Sequence, residues 1–379
     1  MLHVGASKSG TTAFQASMAI SMDRLAASGY EVPVAGREAF NNEVLYPLGW
    51  EAGSGFVNRP VNNPLARLRR ALQQCDERSS VLLSNEDLAE VDADVADAVV
   101  RLGRDQGFDV HVVVTARDWG KQLPSEWQQF LKHRMTEDFD TFLHSVRERS
   151  GFYGLHFWRR QDFADICQRW GRLLPADHVH LVPVPSRGDD PHALFATMAE
   201  VLGVPPETLR APARDVNRSY GVVEAEVYRR LNAELVRRHP HRRRRNFGPV
   251  RRVLSRGALR RGASKRLALP PEHYAWVRDV SDDIVRRLEK DGYAVHGDLT
   301  RLLPREDETR PIPAVREKDV ATAAIRTLAA FADATVLASP PRPARPAPAR
   351  HLARARRLLS GARHRLARRS RPRTSGQVS

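Results

Sequence analysis

Lys8 stands in the run His3-Val4-Gly5-Ala6-Ser7-Lys8-Ser9-Gly10-Thr11-Thr12-Ala13-Phe14-Gln15. These residue types, in this order, suit the binding of a phosphate- or sulfate-like anion. Glycines let backbone N–H groups turn toward one point, and a following helix N-terminus adds partial positive charge. Lys8 supplies a full charge, and Ser9, Thr11 and Thr12 supply hydroxyls. Ser7 and Gly10 complete the expected cradle. The loop is not a Walker A sequence, which places lysine after its last glycine; here Lys8 precedes Gly10. The competing reading is a Gly/Ser turn between a strand and a helix.

A second set of residues follows the apolar run His111 to Thr115. Arg117 comes directly after it, and Ser125 eight residues later, expected at the start of a helix from Leu123 to His133 with Pro124 in its first turn. In open α/β sheets ligands bind at the carboxyl ends of strands, so Arg117 is placed for an anion, unless it pairs with Asp118. Glu86 follows the apolar run Val81 to Ser84 and is the first choice for a general base; alternatively Glu86 or Asp87 caps the next helix or forms an ion pair. His156 is the second choice, its pKa suited to base work, with aromatic packing as the plainer reading. His3, inside the first strand, reads as structural.

Lys8-Ser9-Gly10-Thr11-Thr12 resembles the 5′-phosphosulfate-binding loop of sulfotransferases that use 3′-phosphoadenosine-5′-phosphosulfate (PAPS). The flanking His3-Val4-Gly5 and Phe14-Gln15 look like the bacterial, actinobacterial-like branch. Arg117 and Ser125 resemble that family's 3′-phosphate-binding pair. Local likenesses recur at Phe157-Trp158-Arg159, Asn217-Arg218-Ser219-Tyr220-Gly221 and Gly292 to Pro304, so the resemblance spans most of residues 1–305. Only the first loop and the Arg117/Ser125 pair are specific for function. The first strand is unusually short, and Ser9 replaces the commoner threonine. The resemblance implies in-line transfer of a sulfuryl group from PAPS to a hydroxyl or amine of a small-molecule, lipid or carbohydrate acceptor. Lys8 would stabilise the leaving phosphate, and a glutamate such as Glu86 would act as base. No metal is implied, and no metal-ligand spacing is evident. The alternatives are a P-loop nucleotide kinase or NTPase, since Val81 to Asp87 weakly imitates a Walker B strand, and a non-catalytic basic protein binding membranes or nucleic acid.

The elements that must position these residues alternate. Strands are expected near Met1–Val4, within Gly29–Val34 after a turn, and at Val81–Ser84, His111–Thr115 and Val179–Pro183, with helices between them, including Thr11–Ser28, Tyr153–Gly171 and Pro191–Leu202. This pattern predicts an α/β, P-loop-type three-layer fold with a central parallel sheet. Residues 36–64, rich in Asn, Gly and Pro, read as a long excursion lining the acceptor pocket. The predicted organisation is a catalytic body 1–305, a helical extension 306–339 and a Pro/Arg-rich tail 340–379.

The net charge of +16 is concentrated. Residues 340–379 carry twelve arginines and residues 237–266 thirteen Arg/Lys, neither with an acid, so the remainder is net acidic. A general nucleic-acid binder would be basic throughout, and no specific nucleic acid is expected. Two lone cysteines, Cys75 and Cys167, fit a reducing cytoplasm. No apolar run reaches the roughly 18 residues of a membrane span, and no signal peptide is read. The tail is expected to be disordered, or else an Arg-rich amphipathic helix that attaches the protein to an anionic inner-membrane face.

Overall fold

The computed structural model describes residues 1–51, 54–56, 58–185, 189–190, 192–212, 219–240, 253–254, 259 and 264–338, with side chains as far as residue 333. Asn217 and Arg218, most of the Arg-rich stretch 237–266 and the tail 340–379 lie outside the described residues. The described strands are β1 (Leu2–His3), β2 (Tyr30–Glu31), β3 (Trp50–Glu51), β4 (Gly55–Phe56), β5 (Ser80–Val81), β6 (Leu83–Ser84), β7 (Val112–Ala116), β8 (Val179–Pro183) and β9 (Ala294–Val295). Five make a parallel sheet in the order β6-β1-β7-β8-β9. β5 and β6 are one extended segment interrupted at Leu82. The Leu82 N–H donates to Glu31 O at 2.8 Å and the Leu83 N–H to Met1 O at 3.0 Å. Through β5, which pairs in parallel with β2, the sheet reaches a further strand. β1 therefore lies in its interior, with Leu2 opposite Leu83 on one side and Val112 on the other.

A parallel sheet covered on both faces needs continuous apolar strands, and β7, Val-Val-Val-Thr-Ala, is buried throughout. Successive side chains point to opposite faces. Leu82, Val113 and Val182 pack with Phe14 and Met18 of the helix Thr11–Ile20 and with Leu194, Phe195 and Met198 of the helix Ala193–Leu202. The helix Phe163–Gly171 lies on β7 and β8, burying Ile166, Cys167 and Trp170, and packs against the helices Ala93–Asp105 and Tyr274–Asp291. The α/β class and the parallel sheet match the expectation.

Three elements differ from it. The first helix breaks at Ser21 into Thr11–Ile20 and Met22–Ala27. The stretch 153–171 forms two helices, Gly151–Gln161 and Phe163–Gly171, because Asp162 caps the second by accepting from the Asp165 N–H at 3.0 Å. The helix expected from Leu123 begins at Trp119, where Asp118 caps it by accepting from the Lys121 N–H at 3.0 Å. Pro124 therefore sits inside that helix, beyond its first turn.

The compact body runs from Met1 to Thr327, past the boundary expected near 305. Within it Arg310 N–H donates to Leu269 O at 3.0 Å, Lys121 pairs with Glu308 at 2.7 Å, and Arg230 pairs with Glu317 at 2.7 Å. Residues 328–379 form a second unit, of which the end of the helix Glu317–Ala338 is described. Among the described residues no helix is long and apolar enough to cross a membrane.

Candidate anion-binding and catalytic site

The loop after β1 is shaped by two glycines. Gly5 has φ +49° and Gly10 φ +84°. A Cβ at Gly5 would fall 2.3 Å from Thr11 Cγ2, and one at Gly10 2.7 Å from Leu194 Cδ2. Between them Lys8 is left-handed at φ +65°, a conformation uncommon for a side-chain-bearing residue and concentrated at ligand clamps. The backbone N–H groups of Ser7, Lys8, Gly10, Thr11 and Thr12 donate to no acceptor among the described residues. The Ser7 carbonyl is held from behind, accepting from Gln122 Nε2 at 2.8 Å and Gln161 Nε2 at 3.2 Å. Those two amides are themselves joined at 2.8 Å.

The Ser9 hydroxyl does not face a ligand. It donates to Ala6 O at 2.5 Å and lies 2.8 Å from Thr115 Oγ1. Ser9 therefore braces the loop on β7, which corrects its expected place among the anion donors. Thr11 is buried, with its methyl group toward Gly5, and Thr12 is half-buried. His3 is structural, as expected. Its Nδ1 lies 2.8 Å from Ser84 Oγ, its Nε2 3.3 Å from Thr115 Oγ1, and its ring meets Phe14 edge-on at 4.9 Å. Burial pushes its pKa down to about 4.

Lys8 is half-buried and makes no hydrogen bond or ion pair among the described residues. Burial lowers its pKa; Glu126 and Glu86 oppose this, and Arg160 and Arg37 add to it. Arg117 follows β7, the neighbour of β1, and is likewise unpaired among the described residues. The Arg117–Asp118 ion pair left open by the sequence does not form. Asp118 caps its helix and pairs with Lys121 at 3.2 Å, and Lys121 also takes Glu308. Burial lowers the Arg117 pKa, with Asp118 and Glu308 opposing from a distance. Ser125 is not at a helix start, because the helix begins six residues earlier. Its hydroxyl donates to Lys121 O at 2.8 Å and must rotate away to donate to a phosphate.

Beyond β6 the chain enters a 3-10 turn, Glu86–Glu90, capped by Asn85, whose Oδ1 accepts from the Asp87 N–H at 2.9 Å. Glu86 is thus free of the capping role but is clamped. It accepts from Gln15 Nε2 at 3.0 Å and pairs with Arg37 at 3.1 Å. Burial alone would push its carboxyl up; Arg37, hydrogen bonds from the backbone and Gln15, and Arg160 together hold it below the usual range. Asp87 pairs with the other arm of Arg37 at 3.0 Å, and burial raises its pKa on balance. Arg160 faces Asp87 at 3.5 Å, Glu126 at 3.7 Å and, in direct contact, Glu90. His156 Nε2 lies 3.6 Å from Glu90 Oε1, and its ring stacks on Phe152 at 5.2 Å.

The long excursion reaches this cluster. Arg37 belongs to it, Asn41 Oδ1 accepts from Asn85 Nδ2 at 3.3 Å, and a Cβ at Gly55 would meet Glu90 Oε2 at 2.6 Å and His156 Cε1 at 3.0 Å. Sequence reasoning missed Arg37, Arg160, Glu126 and the Gln122/Gln161 pair. A signal for two of them existed. Gln122 and Glu126, four residues apart, put polar groups on one helix face whose neighbours are apolar, and both are fully buried. Neither Glu126 carboxylate oxygen has a close hydrogen-bond partner among the described residues. Burial pushes its pKa up to about 7, against the pull of the Ser7 hydroxyl and Lys8.

No family model matches the chain, and neither a curated protein nor a solved structure matches it. A functional reading rests on the residues above.

Proposed function

We propose that the protein is a PAPS-dependent sulfotransferase acting on a hydroxyl or amine acceptor. The observation that carries this reading is a pair of cations, at the carboxyl ends of adjacent central strands, that make no hydrogen bond or ion pair among the described residues. Lys8 sits in a loop with five amides that have no acceptor among the described residues, and Arg117 lies one strand away, where Asp118 and Glu308 both pair with Lys121. Two separate anionic groups on one ligand suit two such positions, as the 5′-phosphosulfate and 3′-phosphate of PAPS would. The interior place of β1 suits a P-loop-type arrangement.

In this reading Lys8 and the loop amides stabilise charge on the leaving phosphate during in-line transfer. Ser7, Gly10, Thr11 and Thr12 contribute backbone donors, while Gln122 and Gln161 hold the loop's shape. Glu86 is the base, tied through Gln15 to the helix that the loop opens. Its clamp, Arg37, has a side chain 48% exposed and releases it when the acceptor enters. His156, held by Glu90 and aromatic rings, orients the acceptor side.

Calorimetry with 3′,5′-adenosine diphosphate, with and without Mg²⁺, tests the proposal. Binding that needs no Mg²⁺ is expected. Binding of ATP in preference, with a Mg²⁺ requirement, would transfer the assignment to a nucleotide kinase. Failure to bind either nucleotide would sink both readings.

A further inference from the structure

At the opposite edge of the sheet, four histidines and two carboxylates meet across β7, β8 and β9. Asp109 and His111 precede β7, His178 and His180 lie two residues apart at the start of β8, and His296 follows β9. Asp109 spans two rings: its Oδ2 lies 3.3 Å from His111 Nε2 and its Oδ1 3.3 Å from His178 Nδ1. His178 Nδ1 also lies 3.3 Å from Val110 O. The His111 and His178 rings stack at 4.0 Å. One ligand atom from each of Asp109, His111 and His178 lies within 4.8 Å of the others. Ligands about 2.0–2.2 Å from a tetrahedral ion are separated by roughly 3.3–3.6 Å, the separation seen here between carboxylate and imidazole.

A second observation lies behind this triad. His111 Nδ1 is 3.0 Å from His180 Nε2, His180 Nδ1 is 3.0 Å from His296 Nε2, and His296 Nδ1 is 3.6 Å from Glu200 Oε1. A neutral imidazole has one donor nitrogen and one acceptor, so the row has only two neutral arrangements. Either every Nε2 carries the proton, and His111 donates to Asp109 while His296 turns a lone pair toward Glu200. Or every Nδ1 carries it, and His296 donates to Glu200 while His111 turns a lone pair toward Asp109. Each arrangement sets one lone pair against a carboxylate, a mismatch that one added cation relieves, either a proton on the row or a metal ion at its end. In the second, the His111 lone pair and the Asp109 carboxylate converge beside His178, and the row behind them ends on a carboxylate. That is the arrangement of a metal-bound histidine whose other nitrogen is held by hydrogen bonds.

We propose that Asp109, His111 and His178 bind a divalent transition-metal ion of the zinc type, with His180, His296 and Glu200 as the supporting row. Imidazole with carboxylate suits zinc, nickel or copper(II) over magnesium or calcium. His178 contributes Nδ1 and gives up Val110 O. Three protein ligands leave positions for water, and Asp109 and His111 also line a cavity of about 430 Å³ that gives access to the ion. The site is remote from the Lys8 loop, at the other end of the same strands, and is independent of the sulfotransferase reading.

The test is calorimetric titration of the chelator-treated full chain with Zn²⁺. One tight site is expected. Asp109→Asn, at an exposed carboxylate, and His178→Ala should each weaken it by more than about tenfold, and Glu200→Gln by about tenfold through the row. His144→Ala, on another helix, should leave it unchanged. Far-UV dichroism establishes that each variant is folded. Absence of one-to-one binding, or equal affinity in Asp109→Asn and the parent, would overturn the site. An unchanged Glu200→Gln would overturn the supporting row.

Discussion

Lys8 and Arg117 are both cations without partners among the described residues, yet they are expected to fail differently when removed. In the proposed transfer, charge would build on the leaving group within the Lys8 loop, so Lys8→Ala should abolish transfer and weaken binding less. Arg117 stands one strand away, and Arg117→Ala should cost nucleotide affinity roughly 1.5–3 kcal/mol, the range for a charge-assisted hydrogen bond. Calorimetry with 3′,5′-adenosine diphosphate separates the two; unchanged affinity in Arg117→Ala would falsify the 3′-phosphate role. Glu86 offers a sharper experiment because its counter-charge is identified. Arg37 holds the carboxyl low by pairing with Oε1, while Oε2 accepts from Gln15. Glu86→Gln should keep nucleotide binding and lower turnover about 10²- to 10⁴-fold. In Arg37→Ala the Glu86 pKa rises, and a base works only when deprotonated. The acid limb of the kcat/KM profile should therefore move to higher pH. A limb that stays in place, together with active Glu86→Gln and inactive His156→Ala, would pass the role to His156.

The helix Trp119–Leu131 carries more of the site than its sequence announces. Its cap, Asp118, takes Lys121 and so leaves Arg117 unpaired; Gln122 fixes the loop carbonyl, and Glu126 is sealed beneath the loop. Burial raises Glu126 from 4.5 to about 7. Below about pH 4.5 it is protonated in both the folded and the unfolded chain. As pH rises, the unfolded chain loses the proton first, so stability falls until about pH 7 and then levels. Glu126→Gln removes that slope. Between pH 5 and pH 8 its stability relative to the parent should improve by on the order of 3 kcal/mol, at about 1.36 kcal/mol per pKa unit. Urea unfolding at the two pH values measures this, and a difference independent of pH would refute the raised pKa of Glu126. The central strands were legible because each is a short apolar run with a polar stop: Val179–Pro183 forms as expected, and Val112–Ala116 is displaced by one residue; the two-residue strands Trp50–Glu51 and Gly55–Phe56 inside the excursion were not. The loop was legible because glycine, lysine and threonine requirements coincide there. Helix starts were not, because Asp118 and Asp162 act as caps only where tertiary packing admits the break. Arg37 and Arg160 were not legible either, since an ion pair across 50 or 73 residues leaves no local period. The His111–His180–His296 row was hidden for the same reason: strand pairing, and not spacing along the chain, assembles it.

At the scale of the whole chain, the body extends about one helix beyond the place where apolar strand-and-helix alternation stops. Residues 306–327 add no strand, but they bury Thr309, Val320, Ala323 and Thr327. They supply Glu308 to Lys121, whose ammonium also pairs with Asp118, the cap of the helix that follows Arg117. The segment thus reaches the candidate nucleotide site through two ion pairs. The second unit, from Leu328, supplies none of the residues assigned to that site. Truncation therefore separates two roles. A chain ending at residue 338 should bind 3′,5′-adenosine diphosphate as the full chain does. A chain ending at residue 305 loses the burial of Val320 and its neighbours, and should be less stable by roughly 2–4 kcal/mol, since one fully buried aliphatic side chain is worth about 1.5–3 kcal/mol. With Glu308 gone, Lys121 keeps Asp118 as its only described carboxylate partner, and nucleotide affinity should fall with the stability of the body that positions the site. Thermal unfolding by far-UV dichroism and calorimetry on the same preparations read both effects. Equal stability and equal affinity in the two truncations would move the end of the functional body back to the expected residue 305.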